Sequence, residues 1–272
     1  MFIIPAKDRV WEINKPQIMG IINATPDSFY DKSRKTVIEE VLSTVQDFIS
    51  EGVNVVDIGG QSTRPGAIKV EVEEEMDRVL PIIEAIRNTF PALLISIDTY
   101  INKVAEKAIT MGANIINDIS CGQYDPTILD TIVKYNAGYI GMHIHELQAE
   151  MHTITPTSVN DLVKFFEHKK TYFSKKGIKH WIIDPGFGFG KSIEDNFKLV
   201  SHLHLLKTLD LPILLGVSRK SAIYKTLGVL PADSLNGTTV VNTIGLLNGA
   251  QILRVHDVKE AQQIIQLLSY LQ

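Results

Sequence analysis

The stretch Val53-Asn54-Val55-Val56-Asp57-Ile58-Gly59-Gly60-Gln61-Ser62-Thr63-Arg64-Pro65-Gly66 passes from a nearly continuous apolar run into a polar, glycine-bearing turn. A strand covered by helices on both faces of its sheet reads in this way, without the alternation of a half-exposed strand. The same pattern recurs along the chain, with apolar runs at 17–22, 53–58, 93–97, 114–117, 138–142, 180–183, 213–217 and 251–255. Between these runs the apolar spacing becomes helical, as at 37–50, 72–88, 101–111, 161–176, 192–207, 235–247 and 258–271. Eight strand-then-helix units in about 250 residues predict an α/β fold of the (β/α)8 (TIM) barrel type. A doubly wound open sheet is the rival, but it seldom holds eight units in one domain, and no Gly-x-Gly-x-x-Gly follows the first strand. No linker or low-complexity block divides the chain, so residues 1–272 are read as a single domain. The opening segment 2–11 is expected to form a short N-terminal hairpin capping the barrel floor.

The 272 residues are 44% hydrophobic and 21% charged, with a net charge of -4, which argues against a general nucleic-acid-binding surface. Cys121 is the lone cysteine, so neither an internal disulfide nor a cysteine zinc site is available. No apolar run reaches the roughly 18 residues of a membrane span. The first 15 residues lack the basic and apolar regions of a secretory signal. The expectation is a cytoplasmic protein acting on small molecules, with no nucleic-acid or membrane partner.

Barrel enzymes build their sites from the loops after the C-terminal strand ends. In chain order those ends carry Asn23, then Asp57 through Gly66, Asp98-Thr99, Asn117-Asp118 and Met142-His143. Asp184 through Lys191, Ser218-Arg219-Lys220-Ser221 and Arg254-Val255-His256-Asp257 complete the ring. Each strand is thus expected to aim a polar group at one mouth. A single Asp at a strand end is more often a cap or turn former than a catalyst. Ser33-Arg34-Lys35 repeats the tripeptide at 218–220 without following a strand, and reads as a solvated loop. Two chemistries follow from the convergence. Asp98, Asn117 and Asp184 can reach one pocket and accept from the N–H edge of a flat polar ring, with Asp57 as an orienting group behind them. Arg64, Arg254 and His256, helped by Thr63 and the Gly59-Gly60 amides, can bracket a phosphate or diphosphate. The competing role for Arg254 and His256 is a salt bridge to Asp257 or Glu260.

Seven segments together resemble the dihydropteroate synthases, the pterin-binding TIM-barrel family, from about Ile18 to Val258. They are Asn23–Phe29, Asp57–Ala67, Ser96–Thr99, Ile116–Ile119, Asp184–Lys191, Ser218–Ser221 and Arg254–Val258. The resemblance implies condensation of a dihydropterin diphosphate with p-aminobenzoate by an SN1-like path, within folate biosynthesis. It implies a pterin pocket of Asp98, Asn117, Asp184 and Lys220, lined by Met142 and Phe189. The diphosphate would be held by Asn23, Arg64, Arg254 and His256, with Mg2+ shared between Asn23 and phosphate oxygens. The aminobenzoate would lie near Thr63, Pro65, Lys220 and Ser221. Asp98, Lys220, Arg254 and His256 are the groups expected to act in the chemical step. A homodimer through the last helices is also implied, and the apolar face of 258–271 permits it.

This sequence departs from the family pattern at Tyr30-Asp31-Lys32-Ser33, Gln61, Ile101-Asn102 and the run from Met142 to Leu147. The alternatives are a corrinoid-linked methyltransferase on the same barrel, which needs no diphosphate site, and a pterin-binding homologue without turnover.

Overall fold

A computed structural model describes residues 1–24, 34–61, 70–145 and 154–271. The chain opens with an antiparallel hairpin, β1 (Phe2–Ala6) and β2 (Arg9–Ile13), in which Ile4 pairs with Trp11. Eight strands follow: β3 (Gln17–Asn23), β4 (Val55–Gly59), β5 (Leu94–Asp98), β6 (Ile115–Asp118), β7 (Gly138–Met142), β8 (Ile182–Asp184), β9 (Leu214–Leu215) and β10 (Ile252–Val255). All are parallel, in the order β8-β7-β6-β5-β4-β3-β10-β9. A parallel bridge between Ile183 and Ile213, with Ile183 N–H donating to Pro212 O at 3.0 Å, joins the two ends into a barrel. The predicted strand at 213–217 is therefore present but contributes only two ladder residues, because the chain turns at Val217, whose carbonyl accepts from Lys220 N–H.

The helices are α1 (Arg34–Ser50), α2 (Val72–Thr89), α3 (Asn102–Met111), α4 (Ile128–Tyr135), α5 (Val159–Lys175), α6 (Ile193–Ser201), α7 (Ser221–Leu227), α8 (Leu235–Leu247) and α9 (Val258–Leu268). Each turns an apolar stripe to the strands, as Val79, Ile82, Ile83 and Ile86 do on α2. The helix expected at 192–207 divides in two, with α6 ending at Ser201 and a 3₁₀ helix running Leu203–Leu209. Its buried residues Leu203, Leu206 and Leu209 recur every third position, the period of a 3₁₀ helix rather than an α-helix. Among the described residues no helix is long and apolar enough to cross a membrane.

The barrel floor is a separate apolar layer. Met19, Val55, Ile115, Ile140, Ile182, Leu214 and Ile252 pack there against Ile4, Trp11 and Ile13 of the hairpin. The hairpin thus plugs the N-terminal end of the barrel, as the sequence led one to expect. Trp11 is buried and its indole N–H donates to Gln17 Oε1 at 3.1 Å. On α9, Val258, Ala261, Ile264 and Leu268 are buried. Exposed apolar side chains lie instead at Val240, Ile244 and Leu247 on α8, and at Leu267, Tyr270 and Leu271 around the end of α9.

Trp11→Ala removes the largest side chain of the floor plug and should lower unfolding stability by about 3–5 kcal/mol, read from urea denaturation. A change within error would mean the hairpin packs without supporting the barrel.

Candidate active site

Parallel register brings the strand ends level with one another. Asn23 lies opposite Gly59, Gly59 opposite Asp98, Asp98 opposite Asn117, and Met142 opposite Asp184. Side chains from neighbouring strands therefore open into one well at the C-terminal face. Asn23 is exposed at its rim, while Asn117, Met142, Asp184 and Phe189 are buried.

Arg254, from β10, spans the well. Its Nε donates to Asp57 Oδ2 and its Nη2 to Asp98 Oδ2, both at 2.6 Å. Asn117 Nδ2 donates to the same Asp57 oxygen at 2.9 Å, so four strands are joined through one chain of polar contacts. Asp57 thus orients other site groups, as expected, but Arg254 is paired with Asp57 and Asp98 rather than with Asp257 or Glu260. One cation serves two carboxylates, and burial pushes the Asp98 carboxyl up to about 7 while Arg254 pulls the other way. For Arg254 itself burial opposes the charge, yet the Asp57 and Asp98 carboxylates more than offset it and hold the guanidinium protonated. Asp184 is also raised by burial, opposed by Lys220, the Gly186 N–H and Arg254. Asp184 and Arg254 therefore share one electrostatic environment.

The run Ser218-Arg219-Lys220 sends three side chains in three directions. Ser218 Oγ accepts from the His256 backbone N–H at 3.2 Å and meets His256 Nδ1 at 3.0 Å. Arg219, in left-handed backbone geometry (φ 52°), points outward and clasps Asp257 through Nε at 2.9 Å and Nη2 at 2.8 Å. Asp257 thus belongs to Arg219. Lys220 turns inward, donating to Phe187 O at 2.6 Å with its Nζ 4.4 Å from the Phe189 ring centroid. Burial lowers this ammonium to about 8, with Asp184 pulling it back up.

The loop after β8 is built to a single shape. Gly186 (φ 72°) and Gly188 (φ 82°) adopt left-handed backbone, and a Cβ at Gly186 would collide with the His143 carbonyl. Asp184 Oδ1 accepts from Gly186 N–H at 2.7 Å, and Asn196 Oδ1 accepts from Gly188 N–H at 2.7 Å.

Asp98, Asn117, Met142, Asp184, Phe189, Lys220, Arg254 and His256 all belong to this mouth, with Asn23 on the rim and Ser221 opening α7. Thr63, Arg64 and Pro65 lie outside the described residues, as do the altered segments at 30–33 and 146–147. One expected mouth group faces elsewhere: His143 is buried against Phe165 of α5 and His145, with ring centroids 4.8 Å apart in each case. Burial and nearby Lys191 lower it to about 3, so it is neutral. Asp118 is a turn former, accepting from the N–H groups of Ser120 and Gly122 and from Tyr139 Oη. Sequence reasoning missed Asn196 and the buried Lys191. The dense run of left-handed glycines ahead of Lys191 was the available signal, since such a loop must find partners for its carbonyls.

A well in which buried carboxylates and cations alternate around the strand ends fits a class of barrel enzymes that hold a flat heterocycle, and the pterin binding enzyme family matches residues 19–256. A dihydropteroate synthase of Streptococcus pyogenes serotype M3 is 37% identical over 259 residues, covering 93% of this chain and 95% of that protein. The Yersinia pestis dihydropteroate synthase, solved with a sulfonamide drug, superposes with a TM-score of 0.91 at 36% identity, covering 99% of both chains. The enzyme of Xanthomonas albilineans in complex with 7,8-dihydropteroate gives 0.85 at 30% identity, over 100% of this chain and 99% of that one. The chain spans 50% of a folate synthesis bifunctional protein of Arabidopsis thaliana and 35% of a folic acid synthesis protein of Pneumocystis carinii. The chain belongs to the dihydropteroate synthase family, pterin-binding transferases of folate biosynthesis.

Arg254→Met leaves Asp57 and Asp98 buried without their cation, which should cost about 3–5 kcal/mol of stability at pH 8. Burial already raises the Asp98 carboxyl to about 7, and losing the guanidinium that opposes this raises it further, so the loss should shrink as pH falls from 8 to 5.5 and the carboxyl becomes protonated in parent and variant alike. Denaturation midpoints of parent and variant across that range test it; a pH-independent difference would contradict the pairing.

Proposed function

We propose that the chain condenses 6-hydroxymethyl-7,8-dihydropterin diphosphate with p-aminobenzoate, releasing pyrophosphate and 7,8-dihydropteroate in the cytoplasm. The observation that carries this is the meeting of Asp98, Asn117 and Asp184 with Lys220, Arg254 and His256 in one well. A ring with an N–H edge and an anionic leaving group can be held there together. Asp184 and Asn117 anchor the ring, Lys220 donates to it, and Met142 and Phe189 line its faces. Arg254 retains an Nη1 donor beyond its two carboxylate contacts, and with Asn23, Arg64 and His256 it receives the diphosphate. Thr63, Pro65, Lys220 and Ser221 border the aminobenzoate.

The chemistry runs through ionisation. The C–O bond to the diphosphate breaks first and both electrons leave with pyrophosphate. The amine nitrogen then bonds to the methylene carbon and loses a proton. Arg254 and His256 stabilise charge growing on the leaving group, and the Asp98 carboxylate offsets positive charge spreading into the ring. Arg254 touches Asp98 directly, so the two ends of the developing charge separation are coupled through one guanidinium.

The donor set suits Mg2+ only in a particular way. Among the described residues no group of three or more His, Cys, Asp or Glu could hold a metal by itself. Asn23 would offer a hard cation its amide oxygen. Mg2+ held there would supply Lewis-acid neutralisation of the diphosphate. A corrinoid-linked methyltransferase needs no diphosphate site, and the gathering of Lys220 and Arg254 at this mouth speaks against it. A homodimer formed through the exposed Val240, Ile244 and Leu247 face of α8 covers apolar surface that is otherwise wet.

Sustained pyrophosphate release should require both substrates, stop with EDTA and resume with added Mg2+. Release that ignores p-aminobenzoate would defeat the condensation, and indifference to EDTA would dismiss the metal. Sedimentation should give a dimer that Val240→Glu with Leu247→Glu converts to monomer; a monomeric parent would end the dimer proposal.

A further inference from the structure

Lys191 is a long basic side chain buried inside the protein, 6% exposed, and among the described residues no carboxylate lies within ion-pair distance of it. A buried ammonium is costly unless its donors are used. Its Nζ donates to Gly186 O at 2.8 Å and Phe189 O at 3.2 Å, with His143 O at 3.5 Å. These acceptors are not scattered. The peptide of Gly186 also gives its N–H to Asp184 Oδ1, so Lys191 stands two hydrogen bonds from that carboxylate. Phe189 carries the ring beneath the Lys220 ammonium. His143 directly follows Met142, and its N–H donates to Asp184 O at 2.9 Å. Between the two clamped carbonyls lies Phe187, whose own carbonyl receives Lys220. Asn196 closes the circuit from α6, accepting from Gly188 N–H and donating to Lys191 O at 3.2 Å.

We propose that Lys191 is a positioning residue for the ring pocket: its ammonium clamps the 185–190 loop so that Asp184, Phe189 and Lys220 are aimed before the heterocycle arrives. The clamp adds a second donor to the Gly186 carbonyl, which also accepts from Phe189 N–H at 3.2 Å, and gives the Phe189 carbonyl a donor. It acts through the loop and touches no substrate. The pocket is thereby preorganised, and binding does not have to order the loop. The proposal rests on the pterin reading above.

The test compares the parent with Lys191→Met, which keeps chain length and apolar volume but removes every donor. Calorimetry with 6-hydroxymethyl-7,8-dihydropterin diphosphate, without p-aminobenzoate, should show affinity weakened roughly 10- to 100-fold, the scale of an ångström-level misplacement. The KM for the pterin substrate should rise in parallel, while the KM for p-aminobenzoate stays within about threefold. Lys191→Arg, with donors retained, should recover part of the pterin affinity. If Lys191→Met does not fold, Lys191→Gln is titrated in its place, with an intermediate loss expected. Unchanged pterin affinity in the folded variant, or equal rises in both KM values, overturns the proposal in favour of a scaffold role. A parent that binds pterin diphosphate but releases no pyrophosphate removes the condensation while leaving the clamp testable by binding alone. A parent that binds no pterin removes both.

Discussion

One guanidinium between two buried carboxylates sets the geometry of this protein's working end. Arg254 starts on β10, passes over β3 and ends on Asp57 of β4 and Asp98 of β5, with Asn117 of β6 joining at the shared oxygen. Such pairing is poor evidence for net stability, because removing the charges from water offsets much of their attraction. Its value lies in direction. Two fixed carboxylates and the cation between them cannot be rotated independently, so the strand ends they belong to keep a constant relation across the well.

The Ser218-Arg219-Lys220 segment shows how position rather than composition assigns a role. A single left-handed residue at its centre throws Arg219 outward to Asp257 and leaves Ser218 and Lys220 within the mouth. In the sister tripeptide, Lys35 is exposed and lies 3.9 Å from Glu39 one helical turn on, a pair contributing less than about 1 kcal/mol. A lysine thus serves solvent at position 35 and a buried pocket at position 220. The difference is whether an apolar strand delivers it.

Strand ends were legible in the sequence because double-sided burial leaves an unbroken apolar run with a sharp polar edge, as at Asp57, Asp98 and Asp184. The floor hairpin follows the other rule, with Ile4 and Ala6 on β1 and Trp11 and Ile13 on β2 buried at alternate positions. What lay beyond the sequence was orientation after the edge. His143 follows Met142 by one residue and faces α5, a choice made by the neighbouring Phe165 ring and not by local polarity. Arg254 was assigned to an anion, and its nearest competitor was placed on its own segment; its partners are 197 and 156 residues away. The 3₁₀ turn at Leu203–Leu209 had a three-residue apolar period, yet it continued a helical stretch without a glycine or proline to mark the break. Lys191 stood in plain view, but a lysine beside glycines looks solvated until its carbonyl acceptors are located.

The layer of Met19, Val55, Ile115, Ile140, Ile182, Leu214 and Ile252, packed against Ile4, Trp11 and Ile13, fills the N-terminal end of the barrel with side chains. The polar strand ends therefore stand on a solid base, and what they hold rests against packed hydrocarbon instead of water.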